Sequence, residues 1–280
     1  MAANPNKTVL PTTCIEFLGI ILNSITMELS MSPQRIADVT LELEYWEDRR
    51  LGTKRKLLSL LGKLVFVCRV VQPGRIFIRR LFTASTRVKL LYHRVKLNNE
   101  AMKDVLWWLA FIKVWNHKSV FFEDHWTSAR VLLFSSDASN LGMGAVFANS
   151  WWSVPFKAAH LKFPIAWREL FAIVVACRVW GHQLASRRVL VECDNLAMVH
   201  SVNKGTSKNP HIMALVRDLY FVCSYFSFDI RLRHLAGIHN IGPDLLSRLN
   251  LKKFHTNFPL ADKNATPVLA AYLDYQSKLL

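Results

Sequence analysis

The sequence has few cysteines, few acids and no long apolar run, and each shortage excludes a class of protein. Its five cysteines are an odd number, and none of them forms a CxxC pair. This argues against a disulfide framework or a zinc site and favours a reducing, intracellular compartment. The longest apolar stretches, such as residues 170–177, are far shorter than the roughly 18 residues that span a bilayer. The N-terminus has neither a basic start nor an apolar core, so we expect no secretory signal.

Acidic residues are scarce relative to basic ones. The chain has 36 Lys and Arg against 20 Asp and Glu, a net charge of +16. Such a balance attracts polyanions, so nucleic acid is the first partner that we expect. The alternative is a basic protein whose charges are merely solvated. A membrane partner is not expected, because no strongly basic amphipathic segment flanks an apolar anchor.

The first part of the sequence predicts a mainly helical domain. With 280 residues, 51% of them hydrophobic, the chain is long enough for two domains that each bury a core. Residues 14–31 alternate between apolar and polar around Asn23 and Ser24, which predicts a β-hairpin with a short turn. Helical spacing then predicts helices at 33–47, 54–71, 76–86 and 99–114. We expect the first domain to cover residues 1–127.

From residue 128 the pattern becomes mixed α/β. Period-two patterns and apolar runs predict five strands, at 131–137, 142–148, 151–156, 187–194 and 228–235. Helices are expected at 165–183, 197–201 and 210–225, and a closing helix has Pro243 in its first turn. The fold class is therefore α/β, a five-stranded mixed sheet with flanking helices over 128–250. The last residues, 251–280, have weak periodicity and indicate a C-terminal linker or tail with a short helical piece.

Trp151 and Trp152 have two interpretations. Such a pair stacks on a sugar or base in some nucleic-acid-binding proteins. The alternative, which we favour, is that both side chains belong to the core around a strand.

Four carboxylates between residues 128 and 250 have positions that point to a common site. Only seven acids occur in this region. Asp137 and Asp194 each follow an apolar strand at its carboxyl end, where α/β sheets place ligands. Glu169 lies one turn into the long helix on its apolar face. Asp244 lies in the first turn of the closing helix, where the helix dipole favours an anion.

Converging carboxylates repel one another unless a cation lies among them. Hard divalent cations prefer oxygen ligands, which favours Mg²⁺. Two such ions about 4 Å apart hydrolyse phosphodiesters in known nucleases. Each acid also has a plainer interpretation: Asp194 with Asn195 as a helix cap, Asp244 as a partner of backbone N–H groups, Glu169 as an ion-pair partner and Asp137 as part of a turn.

Four segments resemble the ribonuclease H motifs of retroelement polyproteins: SSDASNLGMGAVF, AWRELFAIVVA, VECDN and HLAGIHNIGPDLLSRL. The last segment is similar to the ending found in gypsy-type and DIRS-like elements. Upstream, FLGIILNS and LLSLLGKLVFVCRVVQPGRIFIRRLF resemble the palm end and thumb of DIRS-like reverse transcriptases. Together these segments cover about residues 14–250.

The resemblance implies a nuclease that cuts the RNA strand of an RNA/DNA hybrid. It implies a ribonuclease H-like five-stranded mixed sheet, preceded by a palm end, thumb and connection-like helical region in 1–127. Two Mg²⁺ ions, with Mn²⁺ as a substitute, would be held by Asp137, Glu169, Asp194 and Asp244. His234 corresponds to a mobile-loop histidine used in proton transfer or product release, and the alternative is a loop histidine with no role.

The hybrid is expected to bind basic and amide side chains along the whole chain. The alternative for about half of the basic ones is a solvated helical face. The candidate nucleic-acid contacts are Lys54, Arg55, Lys56, Lys63, Arg75, Arg79, Arg80, Asn195 and Asn240.

A reverse transcriptase palm also needs paired aspartates, and no such pair precedes residue 128. We therefore expect no polymerase activity from this chain alone. We expect the chain to be the rear part of a retroelement polyprotein, with the other polyprotein parts as further partners. One alternative is a catalytically silent nucleic-acid-binding fragment. Another is a different nuclease of the same fold, such as a transposase or resolvase.

Overall fold

The computed structural model describes residues 9–115, 118–120, 125–193, 195–234 and 240–274. The chain forms two compact units, Met1–Phe121 and Phe122–Leu280. Within the described ranges, every helix is too short or too polar to cross a membrane.

The first unit contains a four-stranded antiparallel sheet. Its strands are β1 (Cys14–Phe17), β2 (Ile20–Asn23), β3 (Glu28–Met31) and β6 (Lys118–Val120), in that order. The predicted hairpin is therefore two successive hairpins. The missed turn is at Leu18 and Gly19, both with positive φ. The predicted turn is correct, because the Asn23 side chain accepts hydrogen bonds from the next backbone N–H groups.

Four helices and a two-stranded sheet complete the first unit. They are α1 (Pro33–Arg49), β4 (Leu51–Thr53), α2 (Lys54–Val67), α3 (Arg79–Thr86), β5 (Arg94–Lys96) and α4 (Asn99–Val114). Thr53 and Asn98 cap the starts of α2 and α4 through their side-chain oxygens. The helix predicted at 76–86 is wrong in its first part, because Gln72–Ile78 forms a 3₁₀ helix with Pro73 in its first turn.

The second unit alternates strands and helices. Its elements are β7 (Trp126–Ser128), α5 (Ala129–Leu132), β8 (Phe134–Ala138), β9 (Gly142–Phe147), β10 (Ser150–Pro155), α6 (Ala158–Leu161), α7 (Ile165–Trp180), β11 (Arg188–Cys193), α8 (Leu196–Lys204), α9 (Pro210–Phe226), β12 (Asp229–His234), α10 (Ile241–Ser247) and α11 (Leu251–Asn257). Two short 3₁₀ helices, Gly181–Leu184 and Ala270–Leu273, complete the set.

All five predicted strands of the second unit are present, and the mixed α/β class is confirmed. Together with β7, which was not predicted, they form two three-stranded sheets. In one sheet β8, β9 and β10 make an antiparallel meander, and in the other β11 pairs in parallel with β12 and β7. In the described residues no ladder joins β8 to β11, so the single sheet that we predicted is divided. The helix α5 and Leu133, which has a positive φ, lie between the residues that pair with β11 and those that pair with β9.

The core of the second unit lies between the strands and α7. This helix is buried along nearly its whole length and packs on β8, β9 and α9. Trp151 and Trp152 are 4% and 0% exposed, which confirms the interpretation that they are core residues.

The described C-terminal residues pack on the rest of the second unit, and the short helical piece predicted in the linker or tail is present as α11. Phe254 of α11 is buried with Trp151, Leu245 and Leu246. Further along, the N–H of Thr266 donates to the carbonyl of Trp151 at 2.7 Å. Sequence periodicity missed this packing because residues 258–269 contain no regular element and are held by contacts with distant residues such as Asn149 and Trp151.

The five cysteines are free, which agrees with the absence of a disulfide framework. Cys14 is exposed and the other four are buried. Burial raises the pKa of the Cys68 thiol to about 12. Burial also raises the pKa values of the Cys177 and Cys223 thiols.

Candidate active site

A cavity of about 760 Å³ lies inside the second unit. It is bordered by β8 and β11, by α7 and the start of α10, and by the C-terminal residues that follow α11. Among the residues that the structure describes, three carboxylates line it, namely those of Asp137, Glu169 and Glu192.

Two predicted metal ligands, Asp137 and Glu169, therefore reach the same cavity from different elements. Asp137 lies near the end of β8, and Glu169 lies in the second turn of α7. The buried Arg168, next to Glu169, donates to the carbonyl of Ser139 at 3.0 Å and to the amide oxygen of Asn140 at 3.1 Å. These bonds fix α7 against the turn after β8, so the spacing of the two carboxylates is set by buried contacts.

Asp244 is linked to this site through α10. The Ser247 hydroxyl lies 2.8 Å from Oδ2 of Asp137 and 2.9 Å from the backbone carbonyl of Asp244. The Asp244 carboxylate itself accepts a hydrogen bond from Nε of Arg248 at 2.8 Å. Asp244 raises the pKa of Arg248 through this bond, and the charge of Asp137 raises it further. One guanidinium is thus held close to two of the predicted ligands.

Asp194 lies outside the described residues, but its two neighbours are described. Cys193 lines the cavity. The Asn195 side-chain oxygen accepts hydrogen bonds from the N–H groups of Ala197 and Met198, so this residue caps α8. That is the plainer interpretation of Asn195, and its contact with nucleic acid stays a prediction.

The donor set has the chemistry that Mg²⁺ requires, since carboxylate oxygens are the ligands that this ion prefers. Within the described ranges, however, no three His, Cys, Asp or Glu side chains come close enough together to hold a metal ion. A complete site would need Asp194 in addition to Asp137, Glu169 and Asp244.

Glu192 is a cavity residue that the sequence analysis did not single out. Its carboxylate accepts hydrogen bonds from Arg130 at 2.9 Å and from Arg233 at 2.8 Å. Burial raises the pKa of Glu192, but the bonds from Arg233 and Arg130 outweigh that effect, so the pKa lies below its usual value. The signal was present in the sequence, because Glu192 and Asp194 are two residues apart in the predicted strand 187–194, and such a spacing predicts a shared face.

Asn240 and His234 occupy opposite borders of a segment outside the described residues, 235–239. The Asn240 amide donates to the carbonyl of Ser136 at 2.9 Å and lines the cavity. His234 is exposed at the end of β12, where it pairs in register with Cys193. His234 is therefore at a strand end, and its role in proton transfer stays a prediction.

Side-chain contacts within the first unit involve several of the basic residues predicted to contact nucleic acid, among them Lys54, Lys56, Lys63 and Arg80. The ammonium group of Lys54 donates to the carbonyl of Val88 at 2.7 Å, and that of Lys63 pairs with Glu42 at 2.7 Å. Lys56 lies over the Tyr45 ring and Arg80 pairs with Glu100. These contacts stabilise the first unit, so the four side chains are engaged within the protein.

Arg55, Arg75 and Arg79 are further predicted contacts, and all three residues are exposed. Their guanidinium groups lie at the surface of the first unit, where a phosphate backbone has access to them.

Part of the second unit is similar to a known domain. Residues 129–219 match the sequence model of the RNase H-like domain found in reverse transcriptase. The matched range includes Asp137, Glu169 and Asp194 and ends before Asp244. Among curated proteins, no sequence matches this one.

Three solved structures of foamy viral protease-reverse transcriptase are similar to the chain. The complex with dsDNA is 15% identical with a TM-score of 0.33 and covers 84% of this chain and 47% of that chain. The complex with RNA/DNA hybrid is 12% identical with a TM-score of 0.32 and covers 84% and 31%. The dRH form with dsDNA is 15% identical with a TM-score of 0.31 and covers 81% and 38%. This chain thus spans less than half the length of each.

Proposed function

We propose that the second unit, in which residues 129–219 are an RNase H-like domain of the reverse transcriptase type, is a metal-dependent endonuclease for the RNA strand of RNA/DNA hybrids. The observation that carries this proposal is that Asp137 and Glu169, from separate elements, line one cavity within that domain. Residues 1–127 would be the palm end, thumb and connection-like region that holds the hybrid.

Two Mg²⁺ ions, or Mn²⁺ in their place, would be held by Asp137, Glu169, Asp194 and Asp244. When bound, such ions supply an activated water and stabilise the leaving oxygen of the phosphodiester. The protein's own contribution is to hold the ligands in place. Ser247 holds Asp137, and the Asn240 amide holds the adjacent backbone of β8.

The substrate would exchange its phosphates for the carboxylate partners of three arginines. Arg130 and Arg233 flank Glu192, and Arg248 flanks Asp244. These guanidinium groups suit the phosphates of a hybrid, whose RNA strand is distinguished by its 2′-hydroxyls. His234 would move a proton at the leaving oxygen or assist release of the product.

The test is cleavage of a labelled RNA/DNA hybrid by the full chain in Mg²⁺ and in EDTA. We expect the RNA strand to be cut only with Mg²⁺, and Asp137→Asn to lower the rate about a hundredfold or more, since a lost ligand removes metal-ion catalysis. Asp48→Asn, at an exposed aspartate of the first unit, is the matched control and should cut normally. Equal activity of the Asp137 variant would contradict the proposal.

A catalytically silent nucleic-acid-binding fragment is the second candidate. It is favoured by the ion pair between Asp244 and Arg248 and by the lack of three converging ligands among the described residues. Tight hybrid binding without cleavage in Mg²⁺ or Mn²⁺ would select this candidate. Equal cutting of a DNA duplex and a hybrid would instead indicate another nuclease of the same fold.

A further inference from the structure

One wall of the cavity is built by residues that lie beyond every proposed metal ligand in the sequence. Asn257, Phe258, Pro259, Leu260 and Ala261 line it together with Asp137 and Glu169. We refer to residues 257–261 as the wall segment. It also lies outside the range 129–219 that matches the RNase H-like domain.

The wall segment is anchored at its first end by aromatic packing. Phe254, one turn before the segment, is 1% exposed. Its ring stacks on that of Phe258, with centroids 5.2 Å apart. The start of the wall segment therefore packs against the hydrophobic cluster that contains Phe254.

At its other end the segment is anchored by three hydrogen bonds to Asp262. The Asp262 N–H donates to the carbonyl of Asn149 at 2.8 Å. The Asp262 carbonyl accepts from the Trp151 indole at 2.7 Å, and its carboxylate accepts from the Ser150 hydroxyl at 2.7 Å. With both ends fixed, the wall segment keeps a defined position beside the cavity.

The side of the cavity formed by this segment is apolar and open to solvent. Leu260 is 81% exposed, although it lines the cavity. Phe258, Ile241 and Leu133, which also line it, are partly exposed too. The cavity therefore presents carboxylates on one side and an apolar surface on another.

A nucleic-acid strand likewise has a charged part and an apolar part. Its phosphates are charged, whereas the faces of its bases and sugars are largely apolar and pack on aliphatic and aromatic side chains. A phosphate would be repelled by bare carboxylates, so it would lie at the metal ions that Asp137 and Glu169 would help to hold. The same strand would then present a base or sugar to the apolar surface.

We propose that Leu260 is a substrate-binding residue that contacts a base or sugar of the strand held at the carboxylates. This inference rests on the proposed function, because it takes the strand to be the one that is cut. It extends the active site from the RNase H-like domain into the C-terminal residues.

The experiment compares Leu260→Ser with Leu269→Ser in the full chain. Leu269 is a matched control, since it is 57% exposed in the same C-terminal region and is not a cavity residue. Steady-state cleavage in Mg²⁺ gives KM and kcat, and fluorescence anisotropy with a labelled hybrid, with Ca²⁺ in place of Mg²⁺, gives Kd. We expect Leu260→Ser to raise both KM and Kd about threefold to tenfold, the order expected for one partly buried leucine, with kcat and Tm unchanged. Leu269→Ser should behave as the wild type.

The outcomes separate this inference from the proposed function. A wild-type chain that cleaves while Leu260→Ser keeps its KM and Kd would overturn the inference alone. A lower kcat with unchanged Kd would also overturn it, because it would indicate a structural role. A wild-type chain that binds but never cleaves would overturn the nuclease proposal and, with it, the assignment of Leu260 to a cleaved strand.

Discussion

The Ser247 hydroxyl joins two of the predicted metal ligands. It is fully buried and lies within hydrogen-bonding distance of the Asp137 carboxylate and the Asp244 carbonyl. A hydroxyl has a single hydrogen, so it donates to one of these oxygens at a time. Ser247 orients Asp137 when it donates to that carboxylate, and it holds the last turn of α10 when it donates to the Asp244 carbonyl.

Removal of this hydroxyl should affect cleavage more than folding. We expect Ser247→Ala to lower the cleavage rate severalfold and the free energy of unfolding by about 1 kcal/mol, typical of one hydrogen bond. Ser153→Ala is the control, because its hydroxyl donates to the carbonyl of Leu246 on the same helix and contacts no carboxylate. Rate assays and denaturant titrations of both variants provide the check. Equal rate losses would show that Ser247 acts only through stability.

His160 should make the stability of the second unit depend on pH. Burial is the main cause that lowers the pKa of His160 below its ordinary 6.5, and the charge of Lys157 contributes. The folded state thus favours the neutral ring. The resulting stability is present above the unfolded pKa of about 6.5 and is lost as the pH falls below it.

We therefore expect the free energy of unfolding to fall between pH 7.5 and pH 5. His160→Gln should flatten this dependence, since glutamine does not titrate. The measurement is denaturant unfolding at a series of pH values. Parallel curves for the two proteins would show that other groups control the pH dependence.

Close packing at Gly144 sets the position of α10. A Cβ atom built on Gly144 of β9 would lie 2.4 Å from Cβ of Leu246 and 3.0 Å from its carbonyl carbon. The second of these is a backbone atom, so the whole helix would have to move. The helix that carries Asp244 thus depends on the lack of a side chain in the neighbouring strand.

Gly144→Ala should destabilise the second unit by about 1–3 kcal/mol, the range for overpacked cores, and should reduce cleavage. Gly62→Ala is the control. Gly62 lies in α2 with nothing within 4 Å of an added Cβ, so alanine should stabilise that helix by about 0.5–1 kcal/mol. Urea titrations followed by circular dichroism give both values. An unaffected Gly144→Ala protein would contradict the packing described for α10.

Sequence periodicity was sufficient to predict the positions of helices that bury one continuous face. The prediction of 99–114 coincides with α4, and the long helix predicted from residue 165 begins where α7 begins. These helices have strong apolar patterns and, for α4, a capping Asn98. Local signals of this kind do not depend on the rest of the chain.

The remaining features depend on contacts that the sequence does not reveal. The separation of β7 from β8 at α5 and Leu133 follows from the pairing of β11 with β7, which is a contact between residues about sixty positions apart. The wall segment is fixed by Asp262, whose partners at Asn149 and Trp151 lie more than a hundred residues away. The arginine partners of Glu192 likewise come from other elements. Sequence order thus identified Asp137 and Glu169 as residues of one site but not the rest of its wall.

The net charge of +16 predicts a strong dependence of nucleic-acid binding on salt. Binding constants for a hybrid should fall linearly with the logarithm of salt concentration, as counterions are released. Replacing the exposed Arg55 and Arg75 by Gln should reduce the slope by about 1 for each phosphate that the variant no longer neutralises. Lys103→Gln, at a lysine paired with Glu100, is the control and should leave the slope unchanged. Unaltered slopes in the arginine variants would exclude this surface from the binding site.

The distribution of thiols makes the chain selectively reactive. Cys14 is exposed at the start of β1, while the other four thiols are buried and three of those have raised pKa values. A maleimide reagent at neutral pH should therefore attach a single fluorophore to the native chain at Cys14. Modification of the other cysteines would require opening of the fold, so the number of labels per chain would report how many molecules are unfolded.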